Sequence, residues 1–171
     1  MNVAAAPFRR PLPPARARAL PWASVVAGSV LTALVPVVAS VPLLPPFGLM
    51  LLLTWRLLAP LSLRRWAAAP LGLVDDLVSG QPLGSAVLLW SLCFLLVDLV
   101  EQRLFVRDFG QDWLLAAALI AATLFAGRLL AVPLAAPIDA AVAVQALAAA
   151  LLFPFSARLV AWIDRRRGHR P

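Results

Sequence analysis

The sequence has little of what a soluble enzyme needs. Only 13% of its 171 residues are charged, lysine is absent, and cysteine and histidine occur once each. Cys93 lies alone in an apolar run and His169 lies in an arginine-rich terminus, so neither a disulfide framework nor a metal cluster is expected. The motifs of phosphate-binding loops, zinc peptidases, dithiol redox proteins and serine hydrolases are also missing. We therefore expect no catalytic residue, no cofactor and no metal.

What the sequence has instead is apolar surface. Hydrophobic residues make up 63% of the chain and the mean hydropathy is +0.91. A soluble domain of 18.3 kDa could not bury that much apolar surface, whereas a bilayer imposes no such limit. The basic residues that give the net charge of +7 lie beside the apolar runs, as expected of a membrane protein. The charge therefore does not indicate nucleic-acid binding.

The positions of the arginines predict the topology. All 15 basic residues are arginine, and the gaps between apolar runs are alternately basic and uncharged. Cytoplasmic loops are enriched in basic residues, so the pattern predicts an all-α, polytopic inner-membrane protein with six transmembrane helices and both termini in the cytoplasm. The predicted spans cover residues 22–40, 47–61, 66–79, 83–100, 113–132 and 138–163.

This topology divides the chain into three parts. Residues 1–21 form an Arg/Pro-rich cytoplasmic tail, 22–163 the six-helix transmembrane domain, and 164–171 a basic cytoplasmic tail. The second and third spans have about 15 residues each, fewer than the roughly 20 that a full span needs. Whether they cross a locally thinned bilayer or are partly re-entrant stays open.

Charged residues inside the spans predict contacts between helices. Arg56 and Asp98 lie at a similar distance from the cytoplasmic ends of the second and fourth spans, so they can pair. Arg128 and Asp139 flank a short proline-bounded turn and can pair as well. Such charges face the bundle interior because lipid exposure is costly. For both pairs we favour a structural role over a substrate or proton pathway.

A segment of recurring glycines carries the central acidic residues. Gly72, Asp76, Gly80 and Gly84 recur every four residues, with Asp75 as an additional acid. On a helix, the first three would form one stripe, where the missing side chains admit a neighbouring backbone. We predict a packing and assembly element in which the Asp76 carboxyl meets protein. A partner- or ligand-binding role for Asp76 stays open beside the packing role.

This segment also carries a family resemblance. Residues 72–84, after the pair Trp55-Arg56, resemble the rod shape-determining MreD family, most closely its alphaproteobacterial members. The family motif maps onto Gly72, Asp76 and Gly80, with Gly84 beyond it. The likeness spans roughly residues 22–132, and further segments contribute to it, namely 41–48, 87–90, 98–103 and 108–113.

The resemblance implies a function. Family members are non-enzymatic inner-membrane components of the machinery that elongates the lateral cell wall. They work with the bitopic scaffold MreC, the MreB filament and the cell-wall synthases of the rod complex, through direct or indirect contacts. The family also resembles the substrate-binding subunits of energy-coupling-factor transporters. A small-molecule-binding membrane subunit is therefore the alternative function.

Overall fold

The computed structural model describes residues 15–34, 44–103, 108–131 and 140–168. Within these ranges the chain forms six α-helices and one 3-10 turn, Arg65–Ala67, which confirms the predicted all-α class. The helices are α1 Ala15–Leu34, α2 Phe47–Leu58, α3 Ala68–Ser79, α4 Ser85–Arg103, α5 Phe109–Ala131 and α6 Ala140–Gly168.

The helices differ in whether they are long and apolar enough to cross a membrane. Three are long and apolar enough to cross a membrane, over Ser85–Arg103, Phe109–Leu130 and Ala140–Arg165. By contrast, α2 and α3 have 12 residues each. At 1.5 Å per residue they extend about 18 Å, against a hydrocarbon core of about 30 Å. The two short spans of the sequence are thus short helices in the structure.

Both termini contain more helix than predicted. Helix α1 begins at Ala15 and includes Pro21, although the composition of residues 1–21 predicts a tail. Alanine, arginine and leucine fill residues 15–20, and their high helix propensity extends the helix on the N-terminal side of the proline. At the other end, α6 continues to Gly168, so that residues 164–168 of the predicted tail are helical. Residues 1–14 and 169–171 lie outside the described residues.

Helix α2 is the centre of the bundle. Nine of its twelve residues are buried, and it contacts α1, α4, α5 and α6. Apart from Thr54 and Arg56 its residues are apolar, which is typical of a helix enclosed by others. Two polar contacts fix its position: Trp55 Nε1 donates to Ser24 Oγ of α1 at 2.8 Å, and the hydroxyls of Thr54 and Ser156 of α6 are 2.9 Å apart.

The other helices are arranged around α2 by pairwise packing. Helix α3 packs against α4 and α1, and α5 packs against α6 and α4. An apolar groove of about 410 Å³ lies over α2, with α1 and α6 as its walls. This arrangement leaves two places where polar side chains cluster inside the bundle, one at each end of the α3–α4 pair.

Candidate functional site

The turn between α3 and α4 depends on two glycines. Gly80 ends α3 with φ +68°, and its N–H donates to the Asp76 carbonyl oxygen at 3.2 Å. Gly84 precedes α4 with φ +97°. Residues with a side chain rarely adopt these angles, whereas glycine does so readily. The two glycines therefore allow the chain to reverse sharply and place the first turn of α4 beside α3.

The Asp76 carboxylate binds the first turn of α4, and we call this arrangement the carboxylate cap. One oxygen accepts from the Ala86 N–H at 2.8 Å and from the Ser85 hydroxyl at 3.0 Å. The other accepts from the N–H groups of Gly84 at 2.8 Å and Val87 at 3.5 Å. Asp76 is only 1% exposed.

The carboxylate cap solves a problem that every helix has. The first N–H groups of a helix lack partners within the helix, and the helix dipole favours negative charge there. Asp76 satisfies these donors from a neighbouring helix, so a single side chain joins α3 to α4. Both of its oxygens are engaged with protein donors inside the bundle.

Close helix packing positions the carboxylate cap. A Cβ on Gly72 would lie 2.8 Å from the carbonyl carbon and oxygen of Ala86 and 2.8 Å from the Val87 nitrogen. Side-chain atoms do not approach backbone that closely, so glycine is required for α3 to reach α4. The prediction that this glycine admits a neighbouring backbone is confirmed. Asp76, one turn later on α3, is thereby held over the start of α4.

The predicted stripe of Gly72, Asp76 and Gly80 on one helix face is wrong at its third member. Gly80 lies beyond the end of α3 and is exposed, and a Cβ added to it would have no atom within 4 Å; the same holds for Gly84. The four-residue spacing continues past the point where the helix stops, so it no longer describes one helix face. These two glycines lie in the turn, and of the three glycines in this segment only Gly72 lies in a close helix contact.

Asp75 points to a different junction from its neighbour Asp76. Its Oδ1 would lie 3.3 Å from a Cβ on Gly48, at the start of α2, and such a Cβ would also collide with the Ser29 hydroxyl of α1. Gly28 of α1 approaches the same place, since its Cβ would lie 3.0 Å from the Gly48 nitrogen. Adjacent acids on one helix thus face separate contacts, as their roughly 100° separation requires.

The second polar cluster, which we call the arginine network, lies at the other end of α4. The guanidinium of Arg56 bonds to Asp98 and, at 2.7 and 3.2 Å, to both carboxylate oxygens of Glu101. Arg65 Nε lies 3.0 Å from the other Asp98 oxygen, with its side chain 80% exposed. Arg56 also lies 6.0 Å from the ring centroid of Phe94.

The arginine network contains the ion pair predicted from the sequence, together with two residues that the prediction missed. Arg56 and Asp98 are 5% and 8% exposed. Glu101 lies three residues after Asp98 and therefore on the same face of α4, which is the signal that could have identified it. The network holds two positive and two negative groups, so its buried charges are compensated.

The remaining candidate residues are not brought together by the described structure. Arg128 lies in the last turn of α5, half-buried, whereas Asp139 lies outside the described residues. Their pairing stays a prediction. Within the described ranges, no group of three or more His, Cys, Asp or Glu side chains is arranged to hold a metal ion.

Comparison with known families bears on these observations. The model of the rod shape-determining protein MreD matches residues 16–162. The chain belongs to the MreD family. The match includes the carboxylate cap, the arginine network and all six helices in large part. Comparisons with curated proteins and with solved structures gave no significant match.

Membership of the MreD family sets the general function. The chain is a membrane protein of rod-shape determination, and its three long apolar helices fit that location. MreD is a structural, shape-determining family, and the match gives no support to the transporter-subunit alternative. The alphaproteobacterial subtype stays a prediction, as does any contact between the candidate residues and a partner.

Proposed function

We propose that this MreD-family protein is a non-enzymatic, six-span inner-membrane component of the rod complex, which helps to determine cell shape by binding an MreC-like bitopic scaffold. In this proposal the MreB-type filament and the cell-wall synthases are linked to it directly or through that scaffold. The family match supports a role in rod-shape determination. The observation that carries the non-enzymatic role is the carboxylate cap, because the central acid of the family motif is engaged by backbone donors.

The two polar clusters support a rigid scaffold as the working form. Asp76 fixes α3 to α4, and the arginine network fixes α2 to α4. Both clusters are compensated within the chain, so they need no substrate to complete them. The outer surfaces of the helices are then free for lipid and for partner helices, where close apolar packing drives association in a membrane.

The proposed topology has the Arg64–Arg65 loop and both termini in the cytoplasm, following the arginine distribution. Single cysteines can test it in intact cells. Positions 44 and 81 should react with an impermeant thiol reagent, and positions 64 and 168 should not. Native Cys93 is 4% exposed and gives little background. Labelling at 168 from outside would contradict the even number of spans.

The proposed partnership is tested by purifying the tagged protein from native membranes and identifying what accompanies it. An MreC-like bitopic protein should be enriched over a control membrane protein of similar size. Recovery of a transporter ATPase with no such scaffold would contradict the proposal. A variant of the carboxylate cap and a variant of the arginine network, both expressed at the normal level, should be purified in the same experiment. Because both clusters hold the fold together, each variant should recover less of the scaffold.

A further inference from the structure

Helix α6 has an inner and an outer face. The inner face is buried and carries Ala149, Phe153, Ala157 and Val160. The outer face carries large apolar side chains that are between 48% and 67% exposed, namely Leu147, Leu151, Phe155 and Trp162. Arg158 is exposed on this outer face, between Phe155 and Trp162. In the sequence it is one charge within a long apolar span, and only the structure shows which face it occupies.

Contacts between α2 and α6 define the depth of Arg158. Gln145 donates to the carbonyl oxygen of Leu44, three residues before α2, at 2.5 Å, and the hydroxyls of Thr54 and Ser156 are 2.9 Å apart, so the two helices run parallel. Arg56 and Arg158 each follow the second contact by two residues, about 3 Å along the helix axis. They therefore lie at nearly the same depth, one inside the bundle and one outside.

The two arginines differ in what surrounds them. Arg56 is bound by Asp98 and Glu101. Among the residues that the structure describes, none forms a hydrogen bond or ion pair with the Arg158 side chain. A guanidinium is always charged, and at a lipid-facing position it needs a counter-charge or a path to the headgroup layer. Arg158 is about 10 Å from Arg165, near the helix end, so its long side chain can extend towards that layer.

The chemistry along the outer face follows the order of a phospholipid. Leu147, Leu151 and Phe155 come first and are apolar, Arg158 follows, and Trp162 lies one turn beyond. Acyl chains would lie beside the apolar residues, and the long Arg158 side chain extends towards the interface, where lipid phosphates lie and where tryptophan is enriched in membrane proteins. The planar guanidinium also matches the oxygens of a phosphate diester.

We propose that Leu151, Phe155, Arg158 and Trp162 form a binding site for an anionic phospholipid, with the lipid phosphate on Arg158. The apolar groove continues the site, because Phe155 and the neighbouring Leu159 also line it. One acyl chain lies along Leu151 and Phe155, and the groove of about 410 Å³ accepts part of the lipid tail. This site does not depend on the proposed partnership with a scaffold.

The test measures lipid binding by the purified full-length protein. Phosphatidylglycerol is titrated in detergent and bound lipid is counted by native mass spectrometry, with phosphatidylcholine and inorganic phosphate as comparison ligands. Arg158→Gln should weaken phosphatidylglycerol binding about fivefold, given about 1 kcal/mol per basic residue near an anionic surface. Arg103→Gln is the matched control, an exposed arginine at the end of α4, and should leave this affinity within about twofold.

The outcomes separate a lipid site from general charge attraction and from a protein contact. Arg158→Gln should keep its melting temperature, because Arg158 is exposed, so a loss of lipid cannot be assigned to unfolding. Equal losses in the two variants would show only general charge attraction and would overturn the proposal. Unchanged lipid binding, with a photo-crosslinker at position 158 capturing a protein in native membranes, would also overturn it. Displacement by inorganic phosphate alone would contradict a site that needs the lipid tail.

Discussion

The carboxylate cap and the arginine network are both buried, but their charged groups are satisfied by different kinds of partner. Asp76 is satisfied mainly by main-chain donors at the start of α4, with one further bond from the Ser85 hydroxyl, whereas Arg56 is satisfied by the side chains of Asp98 and Glu101. A side chain can be deleted by mutation and a backbone N–H cannot. Damage to the arginine network should therefore be reversible by a second substitution, and damage to the carboxylate cap should not.

The largest effect is expected at Asp76. Asp76→Leu leaves the amides of Gly84, Ala86 and Val87 without their acceptor, and should lower the free energy of unfolding by about 3–5 kcal/mol. Asp76→Asn keeps the shape and one acceptor oxygen, so its loss should be smaller. Thermal unfolding in detergent measures both. In cell-shape complementation, loss of function by Asp76→Asn with normal expression and scaffold binding would favour a titrating or ligand-binding carboxylate.

The next largest effect is expected in the arginine network, and it should be partly recoverable. Arg56→Leu leaves Asp98 and Glu101 with reduced compensation and should cost about 3 kcal/mol. Arg56→Leu with Asp98→Leu leaves Glu101 and Arg65, one charge of each sign, and should cost less than the sum of the single changes. Additive losses across this double-mutant cycle would contradict the pairing.

A smaller effect is expected where α3 meets α4 through backbone. Gly72→Ala places a Cβ 2.8 Å from the Ala86 carbonyl group, so the helices must separate, at a cost of about 2 kcal/mol. Gly110→Ala is the matched control, since no atom lies within 4 Å of its Cβ position in α5. Alanine favours helix there, so the control should unfold at the same temperature or slightly higher. Equal destabilisation of both variants would refute the close contact.

The smallest of these effects is expected at Gly80. The residue is exposed and its Cβ would meet nothing within 4 Å, so Gly80→Leu should cost only about 1–2 kcal/mol, from the left-handed backbone angle. Gly80→Asn should cost less, because asparagine tolerates that region. If Gly80→Leu were as damaging as Gly72→Ala in detergent unfolding, Gly80 would have a packing role that the turn alone does not explain.

The two polar clusters also differ in how far the sequence predicts them. The pairing of Arg56 with Asp98 follows from counting residues along two helices, because each charge is rare in an apolar span and needs a partner. Three of the four partners of Asp76 are main-chain amides, which every residue except proline carries, so no sequence signal identifies them. Only the three-dimensional approach of α3 to α4 selects Gly84, Ala86 and Val87.

The other differences between the predicted and the observed structure arise mainly at helix ends. The glycine spacing predicts one stripe on a helix face, but α3 ends at Ser79, so that Gly80 lies in the turn that follows. The prolines of the N-terminal region suggest a tail, yet the alanines and arginines before Pro21 extend α1. Arg158 is a single charge in an apolar span, and only the structure shows that it faces outwards. Local composition predicts the elements well and their ends and exposed faces less well.

Amide hydrogen exchange at Gly84, Ala86 and Val87 tests most directly whether Asp76 holds the start of α4. In the unmodified protein these amides should exchange slowly, although first-turn amides of a helix have no acceptor within the helix. In Asp76→Asn they should exchange faster, with the amides around Arg56 and Asp98 unchanged. Rapid exchange in the unmodified protein, or unchanged rates in the variant, would contradict the role of Asp76 as the cap of α4.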